Sequence, residues 1–477
     1  MTTELDVLVV GGGPGGYLAA LRLGQLGRKV TLVEKEFLGG ECLNRGCIPS
    51  KALLHVSSLL TELRDAGPVF GVKGEGVRVD LLALQTWRAG VVEKERAGVA
   101  QLLKAAGVST RSGTVELTGP RTALLRPAAG GDTEELHFQA AILATGAYPM
   151  SLPGMEPDGS RVLTAREMLT LSEVPPRLLI LGGGVTGVEL GQHFARLGSK
   201  VTIVELLPQI VPGTEKDLAA ELRRSLERMG MEILTGTRAT GLERAGPGVR
   251  LTVEIPGGTR VLEAERLFLT VGKRPETRGL GLAAAGITLG PGGFPTVSDR
   301  METSVPGIFA VGDLARPPMI AHKAYREGIL AAEAVAGLPT RWSHQAMPMV
   351  IYTAPELASV GLTREQAEAS GLRVREVRFP YAALGRAHAN RVTEGFVKLV
   401  AEEETGRLLG CHAAGYASGE FIGEVALALE MGATVRDLAE TIHPHPTFSE
   451  LLQEVAFLWL GEPLHVSRSM AHVRRSG

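Results

Sequence analysis

Two copies of one short pattern constrain this chain more than any other feature. The apolar run Leu5–Val10 ends in Gly11-Gly-Gly13-Pro-Gly-Gly16, followed by the helix-like stretch Tyr17–Leu26, a second apolar run Lys29–Val33 and an acid, Glu34. The same order returns as Leu178–Leu181, Gly182-Gly-Gly184-Val-Thr-Gly187, Val188–Leu197, Lys200–Val204 and Glu205. Gly11 to Gly182 and Glu34 to Glu205 are both 171 residues, and chance likeness of two glycine-rich turns does not match strand, helix and acid spacing together. Each part has a physical reason. Glycines let the backbone turn tightly and approach a pyrophosphate, the helix N-terminus offers unpaired N–H groups, and the acid can bond a ribose hydroxyl. The chain is therefore expected to be an α/β protein with two Rossmann-like dinucleotide-binding units.

The remaining stretches arrange themselves around these units. Phe138–Ala147 reads as a buried strand entering a turn, and Pro149 and Pro153 mark a boundary, giving a first domain over 1–150. Thr110–Leu136 suggests an antiparallel excursion within it. The second unit is expected over 151–272, with a helix at Asp217–Met229, alternating strands across Val249–Leu267, and Leu267–Gly272 paralleling the Ile142–Gly146 run. Residues 273–340 return to the first domain. There Ser304–Leu314 reads as one buried strand with Asp313 at its carboxyl end, where ligands of open α/β sheets bind; capping of the next helix is the competing role. From 341 to 477 alternating strands mix with helices and no third glycine turn appears, so a domain without its own cofactor is expected. Arg474 and Arg475 read as a solvated end.

Cys42 and Cys47 in Gly-Gly-Glu-Cys-Leu-Asn-Arg-Gly-Cys-Ile-Pro-Ser-Lys51 form the only closely spaced cysteine pair. Positions i and i+5 of a regular helix lie roughly 7.5 Å apart along the axis, whereas a disulfide wants Cα atoms within about 7 Å. A bond between them requires the backbone to break, and Asn44 and Gly46 tolerate that. Lys51, one turn beyond Cys47 on a helix begun around Pro49, would favour a thiolate there. Zinc ligation or two idle thiols are the other uses, but with Cys411 the only remaining cysteine a four-thiolate zinc site is excluded. Near the other end, His443-Pro-His445-Pro-Thr-Phe-Ser-Glu450 offers a proton acceptor with an orienting acid, or a two-histidine metal pair.

Composition narrows the partners. With 50 basic against 52 acidic residues the net charge of -2 argues against nucleic acid or an acidic membrane surface. No apolar run approaches the roughly 20 residues that span a bilayer, and a strand begins almost at once, leaving no room for a signal peptide. The expected setting is cytoplasmic, where a lone thiol pair serves redox chemistry.

Taken with GGGPGGYLAA, ATGAYP, GGGVTGVELG, FAVGDL and TAPELASVGLT, the motifs GGECLNRGCIPSKALL and HPHPTFSE make the chain resemble the class I pyridine nucleotide-disulfide oxidoreductase family, in its dihydrolipoamide-oxidising branch, over essentially its whole length. The resemblance implies FAD in the first unit, NAD in the second and a C-terminal dimerisation domain. It implies a homodimer in which each site is completed by the other subunit's histidine. By position, Cys42 would exchange with substrate and Cys47 face the flavin across a redox-active disulfide. Lys51 would lie by the flavin and pair with Glu189, and His445 would act as base oriented by Glu450. FAD would be held by Gly11, Gly13, Gly16, Glu34, Lys35, Lys51, Gly113, Thr145, Gly146, Asp313, Ala321 and His322, and NAD by Gly182, Gly184, Gly187, Glu205 and Gly272, with no metal site. The implied substrate is a dihydrolipoyl group on a 2-oxo acid dehydrogenase acyltransferase or a glycine-cleavage carrier. A related disulfide or metal-ion reductase, or a non-catalytic flavoprotein, are the alternatives; a mercuric-ion reductase would carry a further C-terminal cysteine pair. Glu41 and Arg45 stand where the family commonly has Thr and Val, and their opposite charges suggest a surface pair beside Cys42. Thr186 stands where an aliphatic residue is commoner.

Overall fold

The computed structural model describes residues 2–74, 76–467 and 472–475 of the 477. They form two compact units, one of Met1–Val174 with Phe268–Ser343 and one of Pro175–Leu267 with His344–Gly477.

The first unit contains β1 (Thr2–Val10), α1 (Pro14–Gln25), β2 (Val30–Glu34), α2 (Gly40–Arg45), α3 (Cys47–Thr61), α4 (Leu81–Ala105), β3 (Ser109–Leu117), β4 (Thr122–Pro127), β5 (Glu134–Leu143), β6 (Ala147–Pro149), β7 (Val162–Leu163) and α5 (Ala165–Met168). A parallel sheet runs in the order β5, β1, β2, β3, and β4 folds back antiparallel between β3 and β5. Strand periodicity explains its two cores, since successive side chains point to opposite faces. Val7 and Val9 join Ala19, Leu23 and Leu330 on one face, while Leu8 and Val10 join Leu125, Leu136 and Ile308 on the other. Each fully buried aliphatic side chain contributes about 1.5–3 kcal/mol, which is why a continuous apolar run is needed at a sheet covered on both sides.

The second unit begins with β8 (Arg177–Leu181), α6 (Val185–Arg196), β9 (Lys200–Val204), α7 (Lys216–Arg228), β10 (Glu232–Leu234) and the meander β11 (Arg238–Ala245), β12 (Gly248–Ile255) and β13 (Gly258–Ala264). Strands β8, β9 and β10 are parallel, and β11 to β13 are antiparallel. The chain then passes through β14 (Arg266–Leu269) back to the first unit, adding β15 (Lys273–Pro275), β16 (Ile308–Ala310) and α8 (Ala321–Val335). β16 extends the first sheet beside β5. Only three residues of the run at Ser304–Leu314 are strand. Gly312, at φ 72, turns the backbone into a 3-10 turn at Gly312–Leu314, and Gly312 and Leu314 are buried like the strand, so the apolar run alone could not separate them.

The chain finishes in the second unit with β17 (Met349–Ile351), β18 (Glu356–Gly361), α9 (Arg364–Ala369), β19 (Val374–Pro380), α10 (Gly385–Asn390), β20 (Phe396–Glu402), β21 (Leu408–Gly415), α11 (Ser418–Glu430), α12 (Val435–Glu440), α13 (Glu450–Leu460) and β22 (His472–Arg475). The strands make an antiparallel sheet in the order β17, β18, β21, β20, β19, β22. Leu399, Cys411, Phe421, Val425, Leu452 and Trp459 belong to the core between this sheet and its helices. The basic end forms an edge strand, Arg474 pairing with Glu376 and Arg475 with Arg375 along β19, and Arg474 is exposed there as expected. Among the described residues no helix is long and apolar enough to cross a membrane.

Candidate active site

The two glycine turns are built alike down to single hydrogen bonds. Gly11 and Gly182 have φ of 98 and 109, in the left-handed region that favours glycine. Gly13 and Gly184 each sit at the N-cap of the following helix, α1 and α6, with no side-chain cap, so both helix N-termini keep N–H groups for an anion. Glu34 accepts from Gly12 N at 2.6 Å and Glu36 N at 2.7 Å; Glu205 accepts from Gly183 N at 2.6 Å and Leu207 N at 2.7 Å. A Cβ on Gly16 would lie 1.8 Å from Gly11 O, so only glycine closes the first turn; Gly187 is buried on α6.

In the first unit a second helix end meets this turn. A Cβ on Gly15 would sit 3.2 Å from Ala324 O, and one on Gly328 would be 2.2 Å from Gly15 O, so α8 packs against α1 with Ala321 and His322 at its own uncapped first turn. Two converging helix N-termini make a cradle that fits a dinucleotide pyrophosphate. Asp313 follows β16 in the 3-10 turn, and α8 starts at N-cap Ile320, so Asp313 is not a helix cap. Burial raises the Asp313 carboxyl, opposed by the cations of Lys273 and Lys323. Its turn is held from beneath by a pair the sequence reading missed. Lys323, 2% exposed, donates to Arg316 O at 2.7 Å, Glu327 Oε2 at 3.1 Å and Gly312 O at 3.2 Å, while Glu327 also accepts from Gly312 N at 2.8 Å. The i,i+4 spacing of Lys323 and Glu327 was the available signal.

Other expected cofactor residues lie nearby or serve packing. Thr145 Oγ1 donates to Glu276 O at 2.7 Å and Gly146 O accepts from Glu276 N at 2.9 Å, tying the end of β5 to the segment after β15. Lys35 is exposed next to Glu34. A Cβ on Gly113 would lie 2.4 Å from Arg126 O, a close approach of β3 to β4. Gly272, at φ 121, falls in the first unit, where its O accepts from Met150 N at 2.9 Å.

The thiols sit on the loop that returns to the first turn. Gly39 N donates to Gly12 O at 2.8 Å, and a Cβ on Gly40 would be 2.6 Å from Gly13 Cα, so the start of α2 lies directly on the dinucleotide turn. The backbone breaks at Gly46, φ −142 and ψ −111, ending α2 after Arg45 and starting α3 at Cys47. Asn44 serves differently from expected: its amide donates to Leu38 O and Gly40 O, both at 2.9 Å, locking the first turn of α2. Cys42 is half-buried and Cys47 exposed, and both are free thiols. The hydrogen bond from the Cys42 thiol is the largest influence lowering Cys47, to about 7, against partial loss of water around its sulfur; Lys51 and Lys273 add their positive charge. The same bond, with burial, drives Cys42 strongly upward. The proton thus stays on Cys42 and the thiolate on Cys47. Lys51 contributes as expected, but the partner cysteine contributes more, and Lys273 was not foreseen in this role.

Glu41 and Arg45 do not pair with each other. Arg45 pairs with Glu36 and lies 5.5 Å over the Phe37 ring, while Glu41 is 3.6 Å from Arg166, which also lies 3.8 Å from Glu36. The result is a four-charge string along the flank of α2, each exposed link worth under about 1 kcal/mol. Thr186 is half-buried in the first turn of α6.

In the second unit, Glu189 on α6 accepts from Tyr352 N at 2.9 Å. His445 Nδ1 lies 2.8 Å from Glu450 Oε1, and Glu450 Oε2 accepts from Thr447 N at 2.7 Å. That carboxylate fixes the imidazole with Nδ1–H donating, leaving Nε2 as the basic nitrogen of a ring whose side chain is 78% exposed. His443 faces elsewhere, with Nε2 2.9 Å from Glu424 Oε1 and Nδ1 2.9 Å from Thr441 O. The two histidines therefore serve different carboxylates, and among the described residues no group of three or more His, Cys, Asp or Glu could hold a metal ion.

Comparison with known proteins agrees with this construction. Residues 5–328 match the family description pyridine nucleotide-disulphide oxidoreductase, and residues 347–456 match its dimerisation domain. A dihydrolipoyl dehydrogenase of Thermus scotoductus is 45% identical over 97% of this chain and 98% of its own, and one of Geobacillus stearothermophilus is 43% identical over the same shares. The solved structure of LpdA from Mycobacterium tuberculosis superposes with a TM-score of 0.88 at 30% identity, covering 95% of this chain and 99% of its own. With two dinucleotide turns, a coupled thiol pair and a dimerisation domain in this order, the chain belongs to the pyridine nucleotide-disulphide oxidoreductase family.

Proposed function

We propose that the chain oxidises dihydrolipoyl groups to the lipoyl disulfide with NAD⁺ as acceptor, as a homodimer in the cytoplasm. The observation that carries this reading is the coupled pair at the α2–α3 break, where Cys42 keeps the proton and Cys47 the negative charge beside Lys51. The names of its relatives support it. FAD and NAD are the cofactors of the family, and the glycine cradles at Gly11–Gly16 and Gly182–Gly187 fit them; bound FAD supplies two-electron chemistry between dithiol and nicotinamide.

In the oxidised enzyme, a substrate thiolate attacks Cys42 of the Cys42–Cys47 disulfide, and the bond to Cys47 breaks. The second substrate thiol then closes the lipoyl disulfide and releases Cys42, leaving both cysteines reduced. His445 of the partner subunit takes the substrate proton at Nε2, and Glu450 steadies the resulting imidazolium. Lys51 holds the charge on Cys47, and Glu189 belongs with it by the nicotinamide path. Reoxidation of the pair passes two electrons to NAD⁺, so the sum is dihydrolipoyl plus NAD⁺ to lipoyl plus NADH plus H⁺. Glu205 bonds a ribose 2′-hydroxyl and repels a 2′-phosphate, favouring NAD over NADP. The physiological substrate is a lipoyl domain of a 2-oxo acid dehydrogenase acyltransferase or a glycine-cleavage lipoyl carrier.

Steady-state turnover of dihydrolipoamide with NAD⁺ and NADP⁺, beside glutathione and Hg²⁺, tests the reading. Replacing His445→Gln should slow dithiol oxidation about 10²- to 10⁴-fold while sparing NADH-driven reduction of an artificial acceptor. Unchanged dihydrolipoamide turnover in that variant sinks the assignment.

A further inference from the structure

We infer that Glu215 is a positioning residue for the nicotinamide nucleotide: its carboxyl carries a proton toward His412 and, with Lys398, anchors the loop 206–215 that borders the second glycine turn. This rests on the reading of Gly182–Gly187 and Glu205 as the NAD site.

The loop is attached to that site through its first half. Leu207 N donates to Glu205, Leu207 O accepts from Gly236 N at 2.9 Å, and Val211 N donates to Gly183 O at 2.7 Å. Val211 sits at φ 44, a conformation that a β-branched residue keeps only under restraint. Gln209 then donates to Thr214 O at 2.9 Å, and the next residue, Glu215, is the N-cap of α7. An acid at an N-cap ordinarily accepts from its own helix. Glu215 makes no such bond, and its carboxyl turns to β20 and β21 instead. There Oε1 accepts from Lys398 Nζ at 2.9 Å; the same ammonium donates to Asp217 at 3.1 Å and lies 3.8 Å from Glu376 on β19.

The other carboxyl oxygen locates the proton. Glu215 Oε2 and His412 Nδ1 are 3.4 Å apart, and both atoms are buried without a hydrogen-bond partner. His412 Nε2 lies 3.1 Å from Leu362 O, which can only accept, so that nitrogen holds the ring's hydrogen and Nδ1 presents a lone pair. An ionised Glu215 would set one lone pair against another where the histidine is 2% exposed and the acid 11%, a costly arrangement. One proton between them turns opposition into attraction. Burial decides which group keeps it, being the largest influence on both: it raises the Glu215 carboxyl, against Lys398, and pushes the His412 imidazole down to about 4. The charged groups facing the pair are Lys398, Asp217, Glu376 and Glu365 of α9, so a neutral Glu215 also relieves an excess of acids.

The test uses the dimeric holoenzyme. Infrared difference spectra at neutral pH between the parent and Glu215→Gln should contain the carbonyl stretch of a protonated carboxylic acid, lost in the variant. The Gln amide supplies an acceptor to Lys398 and a donor to Nδ1, so this variant should keep the parental KM for NAD⁺. Glu215→Ala removes the anchor, and Glu215→Asp shortens it; in both, KM for NAD⁺ should rise about tenfold with kcat and the rate of flavin reduction by dihydrolipoamide retained. Absence of the acid band, a Glu215→Gln variant as impaired as Glu215→Ala, or loss of stability with KM unmoved would each overturn the inference. Failure of Glu205→Ala to raise KM for NAD⁺ would instead overturn the placement of NAD at the second turn.

Discussion

Replacing Lys323→Met offers a strong test of how the first unit is held together. The ammonium is 2% exposed and its partner Glu327 0%, and the two form a 3.1 Å pair beneath the Gly312–Leu314 turn. Burial lowers the lysine's proton affinity and Glu327 raises it, so the charge is retained only through the pair. Methionine keeps most of the side-chain volume but removes the donors to Gly312 O and Arg316 O and leaves a buried carboxylate with Gly312 N and Arg316 Nε. Breaking a buried pair from one side costs about 3–5 kcal/mol, and the remaining Arg316 contact argues for the lower end, about 3 kcal/mol. At about 2–4 °C per kcal/mol for a unit of this size, melting should fall by about 6–12 °C. A chain of two units need not unfold in one step, so the transition should be followed by flavin fluorescence, which reports the first unit, together with hydrogen exchange at Gly312. Lys323→Met/Glu327→Gln removes the stranded charge yet keeps an acceptor for Gly312 N, and should recover about half of the loss. A single variant melting within about 2 °C of the parent, or a double variant that simply adds two losses, would refute the reasoning.

Four further outcomes follow from the same geometry. Gly16→Ala forces a methyl to within 1.8 Å of Gly11 O and should yield protein without flavin absorbance, whereas Gly27→Ala, at φ 77 with nothing within 4 Å, should cost about 1 kcal/mol and keep its flavin. In the reduced enzyme, thiolate absorbance should titrate near 7, with Lys51→Met moving the midpoint upward; because the Cys47 value is depressed, its contribution to stability is present above the ordinary thiol range and lost as pH falls through about 7. In the same protein Cys411, 0% exposed and pushed up to about 12 by burial, should resist alkylation until denaturation. Glu205→Ala strands the N–H groups of Gly183 and Leu207 and loses the ribose acceptor, so KM for NAD⁺ should rise about tenfold while discrimination against NADP⁺ weakens.

What could be read from the sequence divides along the range of the forces involved. Strand β9 lies at Lys200–Val204 as expected, β8 begins one residue earlier than expected, and α6 begins three residues earlier and ends one earlier, because periodicity and glycine turns are local signals. The break at Gly46 was legible for the same reason. Partnerships were not. Glu41 and Arg45 have opposite signs and are close in sequence, yet Glu41 meets Arg166 of α5 and Arg45 meets Glu36 in the loop after β2. The tail at Arg474 and Arg475 reads as solvated, and Arg474 is exposed, but its charges hide a backbone that pairs along β19. Lys273 reaches the field of Cys47 only because β15 returns to the first unit after the whole excursion of Pro175–Leu267.

The repeat itself also shows where cofactor identity is not encoded. Glu34 and Glu205 accept the same two kinds of backbone N–H at the same distances, and Gly11 and Gly182 turn alike. Neither glycines nor acid can therefore distinguish a flavin unit from a nicotinamide unit. The difference lies in what returns to the turn. In the first unit Gly39, at φ 90, donates its N–H to Gly12 O; in the second, Val211 makes the equivalent bond to Gly183 O at 2.7 Å with φ 44. Glycine adopts that conformation freely, but a β-branched residue there is held at a cost of about 1–3 kcal/mol, so the second loop keeps the same attachment against its own side chain. Beyond this shared point the loops diverge. The first runs straight into α2 and carries Cys42 onto the dinucleotide turn, with α8 closing on α1 from the other side; the second continues through Pro212 and Gly213 into α7 and brings no thiol. Redox chemistry thus belongs to one copy because of a helix inserted after a common hydrogen bond, and the nucleotide-binding pattern that precedes it is indifferent to which copy receives it.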